Sequence, residues 1–475
     1  MTSRTTTRSR AATREPRPAY ECDACGHQPP KWVGRCPECG EWGAVVESTV
    51  TGPTVAGRVV TSRAPVEPAR PIATISAAPA KARPTGVAEL DRVLGGGLVP
   101  GAVVLLAGEP GVGKSTLLLD VAQQWAAGVG SPSLVVSGEE SVSQVRLRAE
   151  RLGALHERLY LAAESDLAAV LGHLDAVQPG LLVLDSVQTI SAPGTEGVAG
   201  GVTQIRAVTA ALVAVAKERG IATVLVGHVT KDGQVAGPRV LEHLVDVVLH
   251  FEGDKHSSLR MVRGVKNRYG AADEVGCFEM HEGGISSLAD PSGLFLTRYS
   301  EPVPGTCVTV SMEGRRALVT EVQALIGATV AGSPRRTVSG LDGARLAMVL
   351  AVLQRRTDRL TLHDREVFAA TVGGIRVVEP AADLAVALAV ASGGLNLAIA
   401  PHLVAIGEVG LTGEVRRVGA VPRRLAEAAR LGFRHALVPQ GCGPETSGIT
   451  PAGMQVTEVT DLRSALRLAA SLSVE

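Results

Sequence analysis

The stretch Gly108-Glu109-Pro110-Gly111-Val112-Gly113-Lys114-Ser115-Thr116 decides the fold of this 475-residue chain. It fits the pattern Gly-x4-Gly-Lys-Ser/Thr, follows the apolar run 102–107 (AVVLLA), and precedes a helical pattern from Lys114 to about Gly128. A strand, a glycine-rich turn and a helix in that order form a phosphate cradle. The glycines let backbone N–H groups approach the phosphates, and the helix N-terminus adds its positive dipole end. Lys114 is expected on the β- and γ-phosphates and Ser115 on Mg²⁺. Gly108 through Thr116 are therefore the expected ATP and Mg²⁺ contacts.

Working outward, the short apolar runs 133–137, 181–185, 221–227 and 244–250 alternate with helical patterns. Alternating β and α elements predict an α/β fold, a mostly parallel sheet flanked by helices. Leu181-Leu-Val-Leu-Asp185 is an apolar strand ending in a carboxylate, so Asp185 is expected to hold Mg²⁺ through water, with Ser186 beside it. Hydrolysis also needs a group that orients or deprotonates water. Glu139 is the first choice and Glu140 the second, on the expectation that strand 133–137 neighbours the phosphate-loop strand. His228 stands where a γ-phosphate sensor would lie, and a structural histidine is the equal alternative.

Upstream, Cys22-x2-Cys25 and Cys36-x2-Cys39 form two turns that each aim two thiolates at one point. Together they predict a closed tetrahedral Zn²⁺ site, structural or recognitional and not catalytic. Reduced or redox-active thiol pairs are the alternative. Trp32 and Trp42 read as small-core residues, with a stacking surface as the other possibility. Residues 1–21 are Arg/Thr-rich without an apolar stretch and read as a disordered basic arm, with an organellar transit peptide as the alternative, and not as a secretory signal. Residues 22–46 form the finger and 47–80, rich in Thr, Ala, Pro and Val, a linker.

Composition sets limits. Lys+Arg and Asp+Glu are both 47, so no bulk charge draws the chain to nucleic acid and a DNA site would have to be a local patch. No apolar run is long enough to span a bilayer, and three scattered cysteines outside the finger make no disulfide framework. A cytoplasmic protein with no membrane partner is expected. Seven lysines stand against forty arginines, which makes each lysine a candidate for a role that Arg cannot fill.

The order of four-cysteine finger, linker, GEPGVGKST, SGEES (137–141), LLVLDS, HVTKDGQVAGPRVLEHLVD (228–246) and KNRYG (266–270) closely resembles the bacterial RadA/Sms DNA-repair family over nearly the whole chain. Lys266-Asn-Arg-Tyr-Gly270 is similar to that family's KNRFG signature, with Tyr269 in place of Phe. The resemblance implies a RecA-like, hexameric, DNA-dependent ATPase over 81–300. It implies action on single-stranded and branched DNA in recombination by branch migration or helicase-type translocation, and contact with the RecA recombinase. Lys266 and Arg268, two apart, would share one face of a strand. From there they could act as a finger pair on nucleotide bound by the neighbouring subunit.

Residues 301–475 resemble the Lon protease domain. Val378-Glu-Pro-Ala-Ala-Asp-Leu falls on Lon's nucleophile segment, placing Ala381 at the serine position, and Pro422 falls on the lysine. No lysine follows Lys266 anywhere in the chain, so a Ser–Lys dyad cannot form there. A proteolytically inactive scaffold is expected, with Arg335-Arg336, Arg355-Arg356, Arg416-Arg417 and Arg423-Arg424 as candidate phosphate contacts.

Replacing Cys36 by Ser is expected to release zinc from the purified protein. A metal assay that finds no zinc in the unaltered protein would discard the four-thiolate reading.

Overall fold

A computed structural model of the chain describes residues 19–27, 29, 31–48, 54–55, 58–59, 69–76, 78, 81–228, 240–253, 258–297, 301–329, 334–357, 360–443 and 453–472. Most of the expected basic arm and linker, and residues 229–239 of the RadA/Sms-like stretch, lie outside these. The chain divides into two compact units, Met1–Ser76 and Ala77–Glu475.

In the first unit, β1 (Ala19–Cys22) pairs antiparallel with β2 (Val45–Ser48), Cys22 opposite Val45. The finger thus begins three residues before its expected start, because Ala19, Tyr20 and Glu21 belong to this ladder. A second short pairing joins β3 (Thr54–Val55) to β4 (Arg58–Val59).

The second unit contains two large sheets. The first holds β5 (Val103–Gly108), β6 (Ser133–Ser137), β7 (Leu159–Ala163), β8 (Leu181–Asp185), β9 (Ala222–His228), β10 (Val247–Gly253), β11 (Leu259–Asn267), β12 (Val275–His281) and β13 (Gly284–Ser287). Its spatial order is β13-β12-β11-β10-β5-β9-β8-β6-β7, parallel from β10 to β7 and antiparallel from β10 outward to β13.

The continuous apolar runs are explained by burial on both faces. Val104 and Leu106 of β5 pack in one core with α1 (Ala88–Leu94), α2 (Lys114–Gly128) and α3 (Val142–Leu152). Val103 and Leu105 pack in the other, with α4 (Leu167–Val177) and α5 (Val202–Arg219). The two-residue period of a strand sends alternate side chains to opposite faces, so an unbroken apolar run serves both cores.

One expectation is corrected. Strand β6 does not neighbour the phosphate-loop strand: β9 and β8 lie between β6 and β5. Local apolar pattern fixes a strand but not its place in a parallel sheet, which depends on the crossover helices.

The chain passes to the second sheet after α6 (Ser292–Phe295). That sheet is mixed: β14 (Thr306–Glu313), β15 (Arg316–Ala328), β16 (Arg336–Ser339), β17 (Arg365–Thr371) and β18 (Leu403–Ala405), with β21 (His435–Pro439) and β22 (Gln455–Val459), in the order β16-β17-β15-β14-β18-β21-β22. A separate ribbon pairs β19 (Glu408–Val409) with β20 (Val415–Arg416). Helices α7 (Gly343–Arg356), α8 (Asp383–Leu395), α9 (Val421–Arg430) and α10 (Leu462–Ser471) cover the second sheet. Every residue of α8 from Asp383 to Ser392 is buried, which accounts for its unrelieved Ala/Val/Leu texture.

A buried ion pair joins the two sheets. Glu89 of α1 meets the Arg316 guanidinium of β15, and both side chains are almost fully enclosed. Arg316 also donates to the carbonyls of Val275 (3.2 Å) and Ala289 (2.8 Å), while Glu89 accepts the Cys277 amide at 2.9 Å. Removing one member strands the other charge in the interior. Glu89→Ala is therefore expected to cost about 3–5 kcal/mol of stability, read by chemical denaturation, whereas Arg92→Ala at the rim costs under about 1 kcal/mol.

Candidate functional site

Parallel strands place their carboxyl ends at one edge of the sheet, and there the candidate residues meet. In register, Gly108 of β5 lies opposite His228 of β9, and Ser137 of β6 opposite Asp185 of β8. The loops leaving these strands line a cleft of about 410 Å³ that includes Pro110, Lys114, Ser115, Thr116, Glu139, Asp185, His228 and Met280.

The cradle has the local geometry its sequence implies. Gly113 adopts φ +108° as the N-cap of α2, and a Cβ there would sit 2.4 Å from the Met280 methyl. Only glycine meets both conditions. Lys114 is buried at the start of α2, and its ammonium donates to the carbonyls of Gly108 and Glu109, both at 2.8 Å. Burial lowers the pKa of Lys114, against the raising influence of Asp185 and Glu139. Burial likewise raises that of Asp185, opposed by a hydrogen bond with Ser115. The pair Ser115–Asp185 is thus assembled where a phosphate-bound Mg²⁺ would sit, with one hydroxyl and one carboxylate oxygen set suited to that hard cation.

The two glutamates have different surroundings. Glu140 is bound twice by Arg148 of α3, at 2.5 and 2.6 Å. Ser141 and Gln144 form a capping box that starts α3 and so aims Arg148 back at this turn. Glu139 instead accepts a hydrogen bond from the Ser186 hydroxyl at 2.6 Å and lies 3.2 Å from His228 Nε2. Both glutamates line the cleft, Glu139 beside Ser186 and His228 and Glu140 with its charge answered by Arg148.

Lys266 and Arg268 lie elsewhere. Strand β11 ends at Asn267, so Arg268 is not part of it; the two cations are brought together by shared surroundings and not by strand alternation. Lys266 donates to the carbonyls of Glu242 (2.6 Å) and Val245 (2.8 Å), and Arg268 pairs with Asp246 at 3.1 Å. Burial, then the charge of Arg268, lowers the pKa of Lys266. Asn267 is opposite Val247, which is opposite Val104 near the start of β5. The phosphate loop leaves β5 four residues later, roughly 13 Å along the strand at about 3.3 Å per residue. Lys266 and Arg268 thus stand at the opposite end of the sheet from their own chain's phosphate loop.

In the finger, the four Sγ atoms of Cys22, Cys25, Cys36 and Cys39 lie within 4.8 Å of one another. Cys22–Cys39 and Cys25–Cys36 are 3.7 and 3.6 Å apart, matching the roughly 3.8 Å edge of a zinc–thiolate tetrahedron. Gly26 (φ +70°) and Gly40 (φ +75°) turn the chain behind each pair. Backbone amides of Glu38 and Cys39 donate to the Cys36 sulfur, which favours its thiolate. Trp32 and Trp42 do not form a small core, since they are 59% and 74% exposed. Arg35 stacks over Trp42 at 5.8 Å, and the space inside the knuckles is taken by Cys22, Cys36 and Val45.

In the second sheet's domain, Ala381 is buried in the turn before α8, and Pro422 opens α9. Two residues from each, Glu379 and Arg424 form a bidentate pair at 2.7 and 2.7 Å. Arg424 is buried, which removes it from the candidate phosphate contacts. Arg416 pairs with Glu414, while Arg335, Arg336, Arg355 and Arg423 are exposed.

Sequence reasoning missed Asp246, a buried carboxylate that accepts the Val103 amide at 3.1 Å and also binds Lys217. It missed Arg260, which donates to the Val112 carbonyl within the loop at 3.2 Å, and the contact of Met280 with Gly113. The scarcity of lysine was a signal for Lys217; nothing local marked the others.

Residues 69–234 match the AAA domain family and residues 20–47 the rubredoxin metal-binding domain. A DNA repair protein RadA from Mycolicibacterium smegmatis is 56% identical over 464 residues, covering 96% of this chain and 98% of the relative. The RadA protein of Mycobacterium tuberculosis is 55% identical, covering 95% and 93%. That of Streptococcus pyogenes is 42% identical, covering 94% and 98%. Among solved structures, a KaiC-like protein from Pyrococcus horikoshii is 21% identical and covers 44% of this chain and 99% of its own, with a TM-score of 0.37.

Lys114→Ala is expected to abolish ATP turnover. Glu139→Gln should keep nucleotide binding and lose hydrolysis by roughly a hundredfold or more, whereas Glu140→Gln should act mainly through Arg148, on stability. Equal losses of turnover in the two glutamine variants would contradict the assignment.

Proposed function

The chain belongs to the RadA family of DNA-repair proteins, and from that premise we propose a DNA-dependent ATPase motor that processes recombination intermediates by branch migration and extension of strand exchange. The supporting observation is the division of charged groups between the two ends of one sheet. Lys114, Ser115, Asp185 and Glu139 line one cleft, and Lys266 and Arg268 stand at the far end of the same strands.

In this reading Lys114 grips the β- and γ-phosphates. Ser115 and Asp185 would hold Mg²⁺, which would supply charge neutralisation at the phosphates. Glu139 orients the attacking water, its carboxylate steadied by Ser186, and His228 senses the γ-phosphate. Lys266 and Arg268 act on nucleotide bound by the neighbouring subunit of a hexameric ring. Hydrolysis then requires assembly, which couples turnover to subunit movement.

Residues 81–300 are the RecA-like motor and 301–475 a Lon-like scaffold without proteolysis. The Glu379–Arg424 pair stands near the positions a catalytic dyad would use, and Ala381 and Pro422 offer neither nucleophile nor base. The partners are single-stranded and branched DNA and the RecA recombinase, in the cytoplasm. Among the described residues no helix is long and apolar enough to cross a membrane.

The test is ATPase rate with and without single-stranded DNA across salt concentrations, together with strand displacement on forked DNA. DNA stimulation that falls steeply with salt is expected, since phosphate contacts release counterions. Lys266→Ala should spare nucleotide binding and depress both hydrolysis and unwinding. ATP turnover without displacement on any branched substrate would instead identify a nucleotide-regulated binding switch, and casein degradation would revive a protease.

A further inference from the structure

Asp246 is the residue around which the far end of the sheet is organised. Its side chain is 2% exposed, while those of its two cationic partners, Lys217 and Arg268, are about half exposed, at 48% and 52%. Both cations address the same oxygen, Oδ1, Lys217 from 3.4 Å and Arg268 from 3.1 Å. The other oxygen, Oδ2, accepts the Val103 amide, and the Asp246 amide donates back to the Val103 carbonyl at 2.9 Å. Arg268 adds a backbone bond from its own amide to the Asp246 carbonyl at 3.2 Å. The carboxylate is therefore fixed to the first residue of β5, whereas the guanidinium is exposed and can leave.

A difficulty follows for any role of Arg268 on a neighbour's nucleotide. If the guanidinium left with no second cation at hand, the buried carboxylate would be stranded without a counter-charge, which is strongly unfavourable. That cost would hold Arg268 at home. Lys217 removes the difficulty. It sits in the last turn of α5, already in contact with Oδ1, on a flexible stem that can close the remaining distance. It is also one of only seven lysines in a chain that otherwise uses arginine. A compact point charge suits a place where the geometry of the ion pair must change, and a rigid planar fork suits it less.

We propose that Lys217 is a positioning residue for ATP hydrolysis: it takes over the Asp246 carboxylate when Arg268 leaves to meet the nucleotide of the neighbouring subunit. This rests on the in-trans reading of Lys266 and Arg268 given above. Lys217 itself touches no nucleotide. It sets how easily Arg268 is released, so its loss lowers kcat and leaves nucleotide affinity in place.

The experiment compares Lys217→Met, Lys217→Arg, Arg268→Ala and the double variant Lys217→Met/Arg268→Ala in the full-length chain. ATPase kcat and KM are measured at saturating single-stranded DNA, and nucleotide binding separately with a fluorescent ADP analogue. Lys217→Met is expected to lower kcat by roughly tenfold with unchanged nucleotide affinity, and Lys217→Arg to restore only part of it. The decisive readout is the double variant. Once Arg268 is gone there is nothing to release, so adding Lys217→Met should lower kcat per nucleotide-binding site no further, a normalisation that removes any loss of folded protein from the unpaired Asp246, whereas a purely structural role for Lys217 gives additive losses in the folded fraction. Wild-type kcat in Lys217→Met, beside a damaged Arg268→Ala, overturns the exchange and leaves the in-trans reading standing. Additive losses also overturn it. A neutral Arg268→Ala overturns the in-trans reading, and the exchange with it.

Discussion

The Glu89–Arg316 pair is the contact on which the architecture of residues 77–475 turns. Glu89 lies on the helix that packs over β11 and β12, and Arg316 begins the longest strand of the second sheet. Each side chain is enclosed, and each has further hydrogen bonds that neither would make alone. Such a pair adds little net energy over a well-packed apolar contact, but it specifies geometry, because every other arrangement leaves a bare charge inside the protein. Strand β11, which carries Lys266, is tied to the second sheet by a contact of its own, Arg263 with Glu313 of β14 at 2.7 Å. Through the Glu89–Arg316 contact the second sheet meets α1 and β12 at Val275 and Cys277, which in register are level with the end of β5 that carries the phosphate loop.

The legible parts of the sequence were those whose chemistry is contained in a few consecutive residues. The phosphate loop, the carboxylate ending β8 and the paired cysteines all depend on local spacing, and each forms the cluster its spacing implies. What could not be read was set by partners far along the chain. Arg424 reads as a surface residue beside Arg423 until Glu379, 45 positions earlier, is found against it. Asp246 reads as a lone carboxylate within the apolar run 244–250, yet it binds the amide of Val103, 143 positions away. The rank of Glu139 above Glu140 is not visible in the sequence SGEES either; Arg148 separates them by claiming one. Trp32 and Trp42 mislead for a related reason. In a segment this short the sulfurs and Val45 take up the interior, so the indoles have no core to enter.

In the second sheet's part of the chain, one charged contact holds two helix starts together. The turn at Ala381 and the start of α9 at Pro422 are brought together by the bidentate carboxylate–guanidinium contact of Glu379 and Arg424. A dyad needs a neutral amine beside a hydroxyl. A paired arginine beside a glutamate supplies neither.

The separation of Lys266 and Arg268 from the phosphate loop has a consequence for stoichiometry. If each active site is shared as proposed, every chain carries a donor end and an acceptor end, and joining them is a head-to-tail contact that uses two different surfaces. An open string of such chains always has one fewer complete site than it has members. A dimer would work at half strength, longer strings progressively better, and only closure gives every chain a full site. Activity per molecule would then rise with protein concentration and level off where the ends meet, so the dependence of turnover on concentration reports the closure of the assembly itself.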